Sequence, residues 1–183
     1  MKLIKTEFEG LFLIKPNVFG DARGYFYEGF NKKTLQSQGL DIEIVQTNIS
    51  ESQKGVVRGL HFQNPPFEQG KLIRVLKGSV LDVVVDIRTG SPTFGKYYSV
   101  ELSEENKRAL WVPAGFAHGF KTLEDQTLFY YNCSQVYNKE SEGSIRWNDP
   151  QLEIDWGIEN PIISEKDEIA PLFKEFESQF SIV

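Results

Sequence analysis

Arg58, His61 and Gln63 lie on one short run, Gly55-Val56-Val57-Arg58-Gly59-Leu60-His61-Phe62-Gln63. A second run, Trp111-Val112-Pro113-Ala114-Gly115-Phe116-Ala117-His118-Gly119-Phe120, holds the only other histidine. An imidazole titrates near neutral pH, so either residue could move a proton. On a strand, alternation points Gly59, His61 and Gln63 to one face, and Gly59 clears space beside His61. A lone histidine in a β protein is more often a satisfied structural residue. His61 is set apart by Arg58 close by and by Lys71, which reads as part of another strand. His118 could equally hold the loop after Pro113. Two histidines and one cysteine rule out a three-histidine metal site within one chain.

The elements that must position these residues are mostly strands. Leu11 to Ile14, Tyr25 to Phe30, Ile42 to Thr47, Lys71 to Leu76, Val80 to Ile87, Tyr97 to Leu102 and Thr127 to Tyr131 all read as strands. Lys77-Gly78-Ser79 reads as a tight hairpin connection. Asn31 is placed to cap a short helix through Gln38, with Gly39 ending it. Ser103 could cap one or two turns from Glu104. Many short strands with frequent turn signals predict an all-β sandwich, barrel or jelly roll. The stretch after Pro150 is less regular and is expected to wrap the barrel, with Trp147 and Trp156 packing on it.

Composition narrows the function classes. The chain has 183 residues, 40% hydrophobic and 25% charged, which predicts one folded domain over residues 1–183. A net charge of -6 argues against binding nucleic acid by phosphate neutralisation. The longest apolar runs, such as Val83 to Val85, are too short to span a bilayer. Met1 to Glu7 lacks the apolar core of a signal peptide. The single cysteine, Cys133, excludes an intrachain disulfide and fits a reducing cytoplasm.

The two histidine runs resemble the paired motifs of the cupin superfamily. Gly55, His61 and Glu68 fit the first motif, with Gln63 standing where a second histidine is usual. Pro113, Gly115 and His118 fit the second. This resemblance implies a cupin-type jelly roll (a double-stranded β-helix) with short flanking helices. The missing histidine implies chemistry without metal or other cofactor.

Longer stretches resemble the dTDP-4-dehydrorhamnose 3,5-epimerase family. They include Phe19-Gly20-Asp21-Ala22-Arg23-Gly24-Tyr25-Phe26-Tyr27-Glu28, Gln46-Thr47-Asn48 and Arg58-Gly59-Leu60-His61-Phe62-Gln63. Further ones are Gln69-Gly70-Lys71-Leu72-Ile73-Arg74-Val75, Gly115-Phe116-Ala117-His118-Gly119-Phe120, Trp147-Asn148-Asp149-Pro150 and Ser164-Glu165-Lys166-Asp167. They cover nearly the whole chain in order. The implied reaction inverts C3 and C5 of a dTDP-linked 4-keto-6-deoxyhexose through enolates, within dTDP-L-rhamnose and cell-surface polysaccharide biosynthesis. The resemblance makes His61 the base and Asp167 its orienting carboxylate. It makes Tyr131 the acid on the far face, and Lys71, helped by Arg58, the partner of the oxyanion. Without it, Asp167 would read as a surface charge and Tyr131 as a core aromatic.

The same resemblance assigns Tyr137 to stacking on thymine, and Gln46 and Asn48 to the base or phosphates. It assigns Arg23 and Lys166 to the diphosphate. Phe26, Glu28, His118 and Glu142 complete the binding set. It implies a homodimer in which the segment with Arg23, Phe26 and Glu28 reaches the partner's pocket. Two positions depart from the family pattern: Thr47 stands where aspartate is usual, and Asn132 where lysine is common. Two other readings compete, a single-centre epimerase on a related nucleotide sugar and a non-catalytic sugar-binding cupin. A pure binding module has no need of a base and an acid across one pocket.

Overall fold

A computed structural model describes residues 1–182. Its strands are β1 (Lys2–Lys5), β2 (Phe12–Lys15), β3 (Phe19–Asp21), β4 (Gly24–Phe26), β5 (Gln46–Ser52), β6 (Val57–Gln63), β7 (Lys71–Lys77) and β8 (Ser79–Asp86). The chain continues through β9 (Arg88–Thr89), β10 (Tyr97–Ser103), β11 (Ala109–Val112), β12 (Phe116–Thr122), β13 (Thr127–Cys133), β14 (Glu142–Ser144) and β15 (Phe180–Ser181). Two short helices, α1 (Lys32–Gln36) and α2 (Glu165–Glu168), flank them. One sheet runs β1-β2-β11-β7-β13-β5 and the other β10-β8-β12-β6-β14, with antiparallel neighbours throughout. This is the cupin-type jelly roll expected from the sequence.

Strand alternation builds three apolar layers. Inward residues such as Ile73, Val75, Val80, Val84, Phe120 and Phe129 fill the space between the sheets. Outward residues of the five-stranded sheet, including Leu60, Phe62, Val83 and Val85, pack under the C-terminal segment. That segment lies over the sheet as expected, and the Trp156 indole N–H donates to the Trp147 carbonyl at 2.7 Å. On the other outer face, Leu35 of α1 and Ile42 join Leu72 and Trp111. Asn31 caps α1, accepting from the Thr34 N–H at 3.0 Å.

Three expectations are corrected. Tyr25 to Phe30 is no long strand; only its start pairs, in an exposed β3–β4 hairpin. Ile42 to Val45 stays irregular, because Ile42 and Ile44 meet their burial by lying on the outer sheet face rather than by pairing. Ser103, as expected, caps one turn from Glu104, its hydroxyl accepting from the Asn106 N–H, and the left-handed Lys107 (φ 54°) ends it. Lys77-Gly78-Ser79 is not a hairpin: β7 and β8 lie in different sheets, so Gly78 turns the chain from one sheet to the other. It needs to be glycine there, since its φ is 76° and a Cβ would sit 2.5 Å from the Thr127 hydroxyl. No helix among the described residues is long and apolar enough to cross a membrane.

Candidate active site

The site opens between the sheets. His61 on β6 and His118 on β12 are directly paired across their strands. Between that pair and the next, Arg58 with Phe120, β6 carries one more residue than β12. This bulge changes the strand's parity, so Arg58 and His61, three residues apart, line the same cavity while Leu60 turns into the outer core. Gly59 sits at the bulge with φ 127°, and a Cβ there would lie 2.5 Å from the Gly119 Cα. Only glycine fits such a backbone approach.

The opposite wall comes from the six-stranded sheet. Cys133 pairs with Lys71 on one side and Gln46 on the other, and Tyr131 pairs with Asn48. Tyr131 therefore faces inward, while Tyr130 and Asn132 face outward, where the Tyr130 hydroxyl donates to Asn132 Oδ1 at 3.0 Å. A cavity of about 460 Å³ is lined by Arg58, His61, Lys71, His118, Tyr131 and Asp167, among others. A second, of about 470 Å³, adjoins it through His61, Lys71 and Tyr131, and is lined further by Gln46, Asn48, Tyr137 and Glu142. Both volumes suit small-molecule sites.

The electrostatics differ from group to group. His61 Nε2 lies 2.6 Å from Asp167 Oδ1. Asp167 comes from α2, whose cap, Ser164, accepts from the Asp167 N–H. Burial would raise the Asp167 pKa, but His61, the Gly59 N–H and Ser164 outweigh it and hold the carboxyl below the usual range. His118 Nε2 lies 2.9 Å from Asp82 Oδ2. Burial pushes His118 down, against the pull of Asp82. Burial also pushes the Lys71 ammonium below its ordinary range, against Cys133, Asp82 and Glu142. The Tyr131 phenol is pushed up by burial and by Cys133, with Asn48 and Arg58 opposing, so it carries its proton at neutral pH. At the outer rim, Lys166 Nζ pairs with Glu142 Oε1 at 2.6 Å, and the Tyr137 hydroxyl donates to Glu142 Oε2.

Such an arrangement can take a proton from one side of a bound carbonyl compound, shield the oxyanion with Lys71 and Arg58, and deliver a proton from the other side. The comparisons agree. Residues 5–175 match the family model described as dTDP-4-dehydrorhamnose 3,5-epimerase. The chain is 51% identical over 168 residues to the dTDP-4-dehydrorhamnose 3,5-epimerase of Shigella flexneri, covering 91% of this chain and 93% of that one. The chain belongs to the dTDP-4-dehydrorhamnose 3,5-epimerase family. The crystal structure of the Elizabethkingia anophelis enzyme superposes with a TM-score of 0.91 at 52% identity, covering 96% of this chain and 97% of that one. A Legionella pneumophila 3,5-epimerase, solved in complex with dTDP-4-keto-L-rhamnose, gives 0.91 at 48% identity, covering 96% and 94%. Membership makes the chain an isomerase of the epimerase type.

Within this epimerase framework, most of the sequence-derived residues converge. His61, Lys71, Tyr131, Asp167, Arg58, His118 and Lys166 line the first cavity, and Gln46, Asn48, Tyr137 and Glu142 the second. Thr47 does not. The side chain faces outward and donates to Asn132 Oδ1 at 2.8 Å, because alternation on β5 opposes it to Gln46 and Asn48. The two departures from the family pattern, Thr47 and Asn132, are thus bonded to each other. Arg23, Phe26 and Glu28 also miss the cavity of their own chain: they lie on or beside the exposed β3–β4 hairpin, where Arg23 pairs with Asp21 and Glu28 with Asn31. Gln63 holds loops, donating to the Phe67 and Val136 carbonyls and accepting from the Asn138 N–H. Among the described residues no cluster of three or more metal-ligating side chains is present.

The sequence places Asp82 at the head of a stretch, Asp82 to Arg88, that resembles the family, but gives it no role in the site. It lies behind His118, which lines the cavity, and hydrogen-bonds it. The signal was available: a lone carboxylate inside the run Val80-Leu81-Asp82-Val83-Val84-Val85, at an inward position between Val80 and Val84.

Proposed function

We propose that this enzyme inverts C3 and C5 of dTDP-4-dehydro-6-deoxy-D-glucose, giving dTDP-4-dehydro-L-rhamnose. What carries the reading is the placement of His61 and Tyr131 on opposite sheets around one cavity, with Lys71 lining it from the strand beside Tyr131's. With Nε2–H given to Asp167, His61 Nδ1 holds the lone pair that removes the proton α to the C4 carbonyl. The electron pair moves onto the carbonyl oxygen, where the Lys71 ammonium and the Arg58 guanidinium meet the enolate. Tyr131 returns a proton to the carbon from the opposite face, inverting it. Exchange with water then resets both groups, and the second centre follows by the same steps.

The second cavity takes the nucleotide. Tyr137 offers an exposed ring for stacking on the base, Gln46 and Asn48 offer amides, and Lys166 offers a cation for the diphosphate. The enzyme works as a homodimer in the cytoplasm. Supporting the dimer, the β3–β4 hairpin displays Phe19, Tyr25 and Phe26 to solvent, an apolar surface suited to a second copy. On this reading Arg23, Phe26 and Glu28 complete the partner's pocket. The deciding experiment is NMR of the product formed from dTDP-4-keto-6-deoxyglucose in deuterated water. The expected result is the L-rhamno configuration with deuterium at C3 and C5. Deuterium and inversion at one carbon alone would make the enzyme a single-centre epimerase.

A further inference from the structure

The inward row of β8 carries two carboxylates: Asp86, which is satisfied by Arg88, Ser91 and Thr93, and Asp82, which lies between Val80 and Val84. Asp82 is 0% exposed. One oxygen binds His118, and the other, Oδ1, has no hydrogen-bond partner among the described residues. A buried carboxylate with half its acceptor capacity unused is strongly unfavourable unless a charge nearby balances it. Lys71, from β7 in the opposite sheet, lines the same cavity as His118, to which Asp82 is bonded. Burial raises the Asp82 carboxyl above its usual range, and His118 and Lys71 pull it back down. No ion pair closer than 4.0 Å ties Lys71 to any carboxylate among the described residues.

We propose that Asp82 is a positioning residue for this active site: it is the buried counter-charge of the Lys71 ammonium and the anchor that turns His118 Nδ1 toward the cavity. The role given to Lys71 rests on the enolate chemistry above. Asp82 does not line the cavity and touches no substrate; it acts through its two neighbours. A bare ammonium at this depth would shed its proton, and a neutral amine would stabilise an enolate far less. The other groups that act on Lys71 are Cys133 on β13, Glu142 on β14 and His118 on β12. Of the two carboxylates, Glu142 is already engaged by Lys166 and Tyr137. Asp82, whose only other polar neighbour is His118, is therefore the carboxylate left to balance Lys71.

The test uses Asp82→Asn, which keeps an oxygen for His118 and removes the charge. At pH 7.5 kcat should fall roughly 10- to 100-fold while KM changes less than about 2-fold. The alkaline limb of the kcat profile should move to lower pH, since loss of the negative charge makes the Lys71 proton easier to lose. A profile that keeps its alkaline limb in place would overturn the proposal. Thermal unfolding gives a second measurement that needs no substrate and holds even if the single variant folds poorly. Lys71→Met alone strands the Asp82 charge, so Lys71→Met with Asp82→Asn should melt higher than Lys71→Met alone. Additive or greater loss in the double variant would refute the charge pairing whatever the reaction proves to be. A wild-type enzyme inactive on the nucleotide sugar would instead overturn the functional reading and leave this coupling measurable.

Discussion

His61 and His118 face one another as cross-strand partners, and each directs its Nε2 to a carboxylate, yet their surroundings differ. The side chain of His61 is 33% exposed and that of His118 only 8%. Asp167 reaches His61 from a helix near the C-terminal end, whereas Asp82 comes from the interior of β8. A proton carrier must exchange with water between turnovers, and His61 can. His118, backed by a buried carboxylate, is suited to holding one orientation.

His61→Asn is therefore expected to abolish deuterium incorporation at both C3 and C5, with a rate loss of roughly a hundred- to ten-thousand-fold. Tyr131→Phe should behave differently, leaving deuterium wash-in measurable while inverted product forms slowly. Proton NMR of the sugar in deuterated water reads both. Near-normal exchange in His61→Asn would place the base elsewhere.

Tyr137→Ala should weaken binding more than chemistry. Stacking on a base is worth about 1–3 kcal/mol, and the ring sits in the second cavity at its rim. Initial rates should show KM raised about tenfold with kcat nearly unchanged. An unaltered KM would remove the stacking role.

Mixing Arg23→Ala chains with His61→Asn chains should restore activity after co-refolding. In the proposed isologous dimer each pocket would draw His61 from one chain and Arg23 from the other, so a heterodimer would regain one intact site. Wild-type chains refolded in parallel provide the control. Inactive mixed dimers beside active wild type would confine Arg23 to its own subunit.

Asp86 offers a stability test away from the site. Its carboxylate accepts from Arg88, Ser91 and Thr93. Burial alone would raise its pKa, but these donors hold it below the usual value. Such a depressed carboxylate stabilises the fold above its unfolded value of about 3.9, and the contribution fades as pH falls through the lower folded value. Asp86→Asn should cost about 3 kcal/mol at pH 7. The gap from wild type should narrow steadily as pH drops below about 4. Urea unfolding across that range measures it, and a gap that widened in acid would contradict the assignment.

By itself the sequence determined the local devices. Asn31 and Gly39 bracket a helical turn because a side-chain acceptor and a left-handed residue satisfy its open backbone groups. Alternation in Thr127 to Cys133 placed Tyr130 and Tyr131 on opposite faces, and family resemblance selected Tyr131. Which face was inward, and what lay across from it, depended on pairing between distant segments. Period-two alternation fixes only two relative faces, so it could not show that Gly78 crosses between sheets. Nor could it show that a bulge at Gly59 brings Arg58 round beside His61. Ile42 and Ile44 read as a strand because burial on the outside of a sheet needs the same apolar residues as pairing within one. Asp167 lies 106 residues from His61, and Asp82 lies 36 from His118. Only the folded jelly roll, which brings these distant segments side by side, decides that these carboxylates meet imidazoles rather than solvent.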